Sequence, residues 1–141
     1  MRETNLIKFR VYPESKRGHY FDVAIYPTAT SMRKAANKAG AVRKDFHRIK
    51  AGAAVLGTRT PGTKSLGLIL FHRQWLGMNV ITHECGHAAL RWMEAQRFSV
   101  EQRPANHKDG WASDNEERFC YALGSMAAQI GNECWNHKLY K

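Results

Sequence analysis

The residues best suited to chemistry stand in the middle of the chain, where His83-Glu84-Cys85-Gly86-His87 forms the pattern H-E-x-x-H. On an α-helix, residues four positions apart are separated by about 40° around the axis and about one turn along it. Both imidazoles can therefore reach one tetrahedral Zn²⁺, and Glu84 stands beside them as a general base toward water. The spacing predicts a zinc site.

The sequence around this pattern favours a helix. Apolar residues recur at helical spacing from about Met78 to Gln96. The stripe they form consists of Val80, Ile81, Cys85, Ala88, Ala89 and Trp92. We therefore expect the two histidines on one rigid element.

A catalytic zinc site needs a third protein ligand and an open fourth position. The best supplier is the acidic segment 114–121, which begins a second predicted helix with Ser113 or Asp114 as its N-cap. Carboxylates in a first helical turn also suit the helix dipole. Two neighbours in this segment, Glu116 and Glu117, are candidates for the third ligand.

An H-E-x-x-H helix followed by a helix with Glu and, three residues later, a small residue resembles the gluzincin metallopeptidases, which are zincin-like. The resemblance spans about residues 70–130 and favours Glu117, because Cys120 follows it at the small position. Glu116 is the alternative. The short chain and the run His-Glu-Cys-Gly-His-Ala-Ala-Leu are also similar to small phage-type and ImmA/IrrE-like zinc peptidases.

This resemblance implies a zinc metallopeptidase acting on an intracellular protein or peptide. His83, His87 and Glu117 would hold Zn²⁺, with a metal-bound water in the fourth position. Glu84 would take the proton of that water and deliver it to the leaving amine. Tyr121 and His107 are candidates for stabilising the oxyanion.

Length and composition indicate one soluble domain spanning residues 1–141. The hydrophobic fraction of 43% and the charged fraction of 24% are ordinary for a globular protein. The sequence has no apolar run of membrane-spanning length, and its first residues do not form a signal peptide. We expect a cytoplasmic protein without a membrane partner.

The formal net charge of +10 concentrates between Arg33 and Lys50. Clustered Lys and Arg bind nucleic acid through counterion release, so nucleic acid is a candidate partner of this run. It motivates one alternative function, a DNA-associated SprT-like protease. Another alternative is a zinc-containing binding or effector protein, including one encoded by a phage, in which the metal is structural.

The three cysteines form no C-x-x-C pair, so no cysteine-type zinc knuckle is indicated. We expect Cys85 and Cys120 to be buried on apolar stripes as small hydrophobic residues.

Turn residues and alternation predict the element order β-β-α-β-β-α-α. Strands are expected at 6–12, 20–26, 53–57 and 66–72, the first two as a hairpin, with a helix capped at 28–31 and ending near Gly40. This predicts an α+β, zincin-like fold, with a small twisted, mainly antiparallel sheet packed on the H-E-x-x-H helix and a second C-terminal helix.

Overall fold

The computed structural model describes residues 6–39, 52–57, 64–98 and 114–139. Its strands are β1 (Ile7–Val11), β2 (Tyr20–Tyr26), β3 (Ala53–Gly57) and β4 (Ser65–His72). Its α-helices are α1 (Ala29–Lys38), α2 (Met78–Ala95) and α3 (Asp114–Asn136), and a short 3₁₀ helix, Arg73–Trp75, joins β4 to α2. The α+β class is confirmed, and so is the order of elements in the part of the chain that the structure describes.

The four strands form one sheet in the order β1-β2-β4-β3. Strands β1 and β2 pair antiparallel as the expected hairpin, and β3 pairs antiparallel with β4. The central pairing, β2 with β4, is parallel. The sheet is therefore mixed, and β3 is an edge strand of the sheet that the described residues form.

One face of the sheet packs on α2 and α3 and holds the main core. Alternate residues of the strands point into it, because successive side chains of a strand face opposite sides. The core includes Val11, Phe21, Val23, Ile25, Ile69 and Phe71 from the sheet, with Ile81, Cys85, Ala88, Met126 and Ile130 from the two helices. This packing fixes the face that α2 turns to the sheet.

The opposite face of the sheet is partly covered by α1, which buries Met32 and Ala36 against Ala24 and Leu70. Thr28 caps this helix as expected: its hydroxyl accepts a hydrogen bond from the backbone N–H of Ser31 at 3.1 Å. The Ser31 hydroxyl in turn accepts one from the backbone N–H of Thr28 at 3.3 Å, which completes a capping box.

Helices α2 and α3 pack against each other in opposite directions. The guanidinium of Arg118, in the second turn of α3, lies 4.2 Å from the ring centre of Phe98, just beyond the end of α2. Further along α3, Leu123 reaches back to Gly86, where an added Cβ would lie 3.8 Å from Leu123 Cδ1. The start of α3 therefore lies beside the end of α2.

The side-chain amide of Gln129 connects α3 to the end of β1. Its oxygen accepts a hydrogen bond from the backbone N–H of Tyr12, and its nitrogen donates one to the carbonyl oxygen of Tyr12, both at 2.9 Å. The amide thus continues the pairing pattern of β1 beyond its last strand residue.

The cysteines differ from expectation in one case. Cys85 and Cys134 are buried, but Cys120 is exposed. Position 120 lies at the boundary between the buried and solvent faces of α3, beside the exposed Tyr121. The expectation of a buried Cys120 was wrong. An apolar stripe predicts which face of α3 is turned to the core, but it does not predict whether α2 also covers the residues at the edge of that face.

Candidate functional site

Helix α2 brings the two histidines of the motif together. Nε2 of His83 and Nε2 of His87 lie 3.2 Å apart, and the ring planes are inclined by 78°. Both residues are exposed, so the two nitrogens meet at the surface rather than inside the core. The expected convergence of the imidazoles is present.

The nitrogen separation fits a shared metal ion. Zinc binds imidazole nitrogen at about 2.0–2.1 Å, so two such ligands of a tetrahedral ion lie about 3.3 Å apart. The observed 3.2 Å matches this spacing without any movement of the backbone. The donor set of His83 and His87 is therefore suited to zinc.

Glu84 lies next to this pair but on a more buried side of α2. The residue is 7% exposed, and this burial raises the pKa of its carboxyl group, an effect that nearby His87 and His83 partly oppose. A carboxylate with a raised pKa is a stronger base. From this position the Glu84 carboxylate could accept a proton from a water molecule held near the histidines.

A cleft of about 400 Å³ opens beside these residues. His83, Glu84, Asn79 and Val80 line it from α2, while Trp75 and the start of β3 line it from the other side. The indole of Trp75 lies directly on Gly52, so closely that any Cβ at position 52 would overlap the ring. The cleft therefore lies between the H-E-x-x-H helix and an edge strand.

The candidate third ligands, Glu116 and Glu117, lie in the first turn of α3, away from the histidine pair. Glu116 is half-buried and Glu117 is exposed. Since Leu123 is level with Gly86 and a helix rises 1.5 Å per residue, Glu117 lies about 9 Å from that level, toward the end of α2. Among residues 6–39, 52–57, 64–98 and 114–139, no three His, Cys, Asp or Glu side chains form a group that could hold a metal ion.

Of the two candidates for stabilising an oxyanion, only Tyr121 lies in the described part of the chain. Its side chain is 75% exposed, on the same outer face of α3 as Glu117, Gly124 and Ala128. The row of small residues along this face points to solvent rather than to α2. His107 lies outside the described residues, and its role stays a prediction.

Two further residues near the motif do not belong to the cleft. Cys85 points into the core, and burial, with a smaller contribution from Glu84, raises the pKa of its thiol to about 12. His72 is 5% exposed at the end of β4, and burial, assisted by Arg33, lowers its pKa. Strand alternation places His72 on the α1 side of the sheet, away from His83.

Sequence reasoning missed Trp75 and Arg91 as residues of this region. Arg91 follows His87 by one turn of α2, and its guanidinium lies against Gly57 at the far end of β3. Its spacing from the motif was visible in the sequence. The decisive information, that β3 runs along α2 at the sheet edge, was not.

The basic run is mostly outside the described residues. Its described members, Arg33, Lys34 and Lys38, all belong to α1. Contact with nucleic acid therefore stays a prediction. In the described part of the chain, no helix has the length and apolar character needed to cross a membrane.

In the described residues, fold and site together define an α+β arrangement in which a helix with paired histidines and a buried glutamate borders the edge strand β3. Comparisons with family models, with curated proteins and with solved structures found no match.

Proposed function

We propose that the protein is a zinc-dependent metallopeptidase of zincin-like type, which hydrolyses peptide bonds of a protein or peptide. The observation that carries this proposal is the 3.2 Å separation of the His83 and His87 Nε2 atoms beside the buried carboxylate of Glu84. A helix used only for packing has no need of two exposed imidazoles converging next to a buried acid.

The edge strand supports a peptide as the substrate. Strand β3 borders the cleft, and an extended peptide adds to a sheet edge through main-chain hydrogen bonds that do not depend on its sequence. Such a peptide would pass Glu84 and His83 on its way along β3. A small rigid molecule would not use this edge.

Each residue then has a defined task. His83 and His87 hold the metal, which when bound would polarise the scissile carbonyl and lower the pKa of water. Glu84 takes a proton from the attacking water, retains it in its shielded position and gives it to the leaving amine. The low exposure of Glu84, 7%, suits both transfers, because it shields the carboxyl group from bulk water while it holds the proton.

Glu117 is our proposal for the third ligand, with Glu116 as the alternative. Binding by Glu117 requires the first turn of α3 to approach the histidines and to turn its outer face toward them, and binding by Glu116 requires the same approach. Tyr121, one turn after Glu117, would move with it toward the cleft, where its hydroxyl could stabilise the oxyanion. Variants of Glu116 and Glu117 with measured zinc content would identify the ligand.

Hydrolysis is tested with purified, zinc-loaded protein incubated with a diverse peptide mixture, and the new peptide ends are identified by mass spectrometry. We expect cleavage that a chelator abolishes and that Glu84→Gln reduces at least a hundredfold, within the usual contribution of a general base. Glu94→Gln, which changes an exposed acid of the same helix, is the matched control. Equal cleavage by wild type and Glu84→Gln would refute the mechanism.

A zinc-containing binding or effector protein is the second candidate function. The observation that favours it is the net charge of +10, because a strongly basic protein attracts an acidic partner without any need for hydrolysis. It differs from the peptidase in one measurable respect, since Glu84→Gln would then keep full biological activity.

A further inference from the structure

Arg91 is placed on the side of α2 that borders the edge strand. Its guanidinium lies against the last residue of β3, so that a Cβ on Gly57 would be 2.5 Å from Nη1 and 3.3 Å from Cζ of Arg91. Glycine at position 57 leaves the room that the guanidinium occupies. The side chain is exposed, so its charged end can reach a bound molecule.

Arg91 and Glu84 stand on the same side of the helix. Seven residues on an α-helix correspond to about two turns, so the two side chains differ by about 20° around the axis and about 10 Å along it. Strand β3 runs beside this row. Its start lines the cleft with Val80 and Glu84, and its end meets Arg91.

The dimensions of strand and helix agree with this parallel course. From Gly52 to Gly57 an extended chain spans about 16 Å, and from Val80 to Arg91 a helix rises about 16 Å. A peptide added to β3 would therefore pass Glu84 and reach Arg91 about three residues later, at about 3.3 Å per residue.

The fold itself gives Arg91 no partner of opposite charge among the described residues. Two other described arginines have partners within the fold: Arg10 of β1 donates to Asp22 at 3.2 Å and lies over the ring of Tyr20, and Arg118 lies over the ring of Phe98. A guanidinium is suited to bidentate binding of a carboxylate. Arg91 therefore presents a guanidinium without an acidic partner in the described part of the chain, beside the end of β3 and about 10 Å along α2 from Glu84.

We propose that Arg91 is a specificity-determining residue that binds a carboxylate of an extended acidic peptide lying along β3. This carboxylate lies about three residues from the scissile peptide bond, at which Glu84 acts as the general base. The carboxylate is an acidic side chain or the end of the peptide. The net charge of +10 favours the same class of partner by long-range attraction. The position of the cut rests on the proposed function, whereas the binding of the acidic peptide does not.

Binding is measured first, with the Glu84→Gln variant so that the probe stays intact. The probes are fluorescent Thr- and Val-rich decapeptides, acetylated and amidated, that carry one Glu or one Gln at the same position. A third peptide has no Glu but a free C-terminal carboxylate, which distinguishes the two sources of the anion. Fluorescence anisotropy gives each Kd.

We expect the Glu peptide to bind about threefold to fivefold more tightly than the Gln peptide, as for an exposed ion pair. Adding Arg91→Gln should remove this ratio, and Arg91→Glu should reverse it for a peptide with Lys at that position. Arg17→Gln, which changes an exposed arginine of the turn between β1 and β2, should leave the ratio intact. An unchanged ratio in Arg91→Gln, or no binding of any probe, would overturn the proposal.

Cleavage then locates the carboxylate. In the peptides that zinc-loaded wild type cuts, we expect Asp and Glu to be enriched about three residues from the new end, and Arg91→Gln to lose this enrichment. Cleavage without the enrichment would overturn the role of Arg91 but not the proposed peptidase activity. Charge-dependent binding without any cleavage would support the role of Arg91 in binding acidic peptides but contradict the proposed peptidase activity.

Discussion

Zinc should stabilise the folded protein through the two histidines of α2, and the effect can be estimated. The pair presents two nitrogens 3.2 Å apart in the folded chain, whereas an unfolded chain does not hold them together. A ligand at a hundred times its Kd that binds only the folded state adds about 2.7 kcal/mol. For 141 residues the unfolding entropy is about 0.3 kcal/mol/K, so Tm should rise by about 9 °C.

The assay is thermal unfolding followed by circular dichroism, with chelator-treated protein titrated with zinc. His83→Ala and His87→Ala should each lose most of the shift, because a single imidazole holds zinc far more weakly. Glu84→Gln should keep it, since Glu84 acts on water rather than on the metal. His137→Ala is the matched control, an exposed histidine that lies 3.5 Å from Glu133 on α3.

Two results would refute this reasoning. One is an equal zinc-induced shift in the wild type and in both histidine variants, which would place the metal elsewhere. The other is no shift in the wild type at zinc concentrations up to about 1 mM, since a site with a Kd above about 1 mM would not hold zinc in a cell.

Two further predictions concern the sheet that frames the site. His72→Phe should reduce the loss of stability in acid. Burial lowers the pKa of His72 in the folded state, so the unfolded chain binds a proton more readily. In the wild type, stability is therefore lost as pH falls below the ordinary pKa of 6.5 toward the lower folded-state pKa. Urea unfolding at several pH values would show it, and a slope between about pH 7 and 5 equal to that of wild type would contradict it. Gly67→Ala should cost about 3 kcal/mol, because Gly67 has φ +141° and a Cβ there would overlap the Leu56 carbonyl oxygen of β3. Urea midpoints measure this loss, Gly77→Ala is the control with open space around it, and equal midpoints for the two variants would show the argument to be wrong.

The sequence predicted the elements of this fold well because their signals are local. The Thr28 cap, the alternation of β2 and the apolar stripe of α2 each depend on residues within a few positions of one another. The convergence of His83 and His87 belongs to the same category, since their separation follows from one turn of helix.

Features that depend on distant pairing were not predictable. The parallel alignment of β2 with β4 joins residues more than forty positions apart, and it leaves β3 at the edge. The contacts of Trp75 with Gly52 and of Arg91 with Gly57 follow from that edge position. The exposure of Cys120 and the distance of Glu117 from the histidines depend on how α3 slides along α2, which no local pattern specifies.

The different environments of the three cysteines give the protein a natural labelling position. Alkylating dyes react with thiolates, and burial raises the pKa of Cys85 to about 12 and that of Cys134 to about 11, which keeps both protonated and shielded. Cys120 is exposed near the start of α3, three residues after Glu117. A maleimide fluorophore would attach there first, without mutagenesis, and its emission would report directly on any movement of α3 toward the histidines when metal or peptide is added.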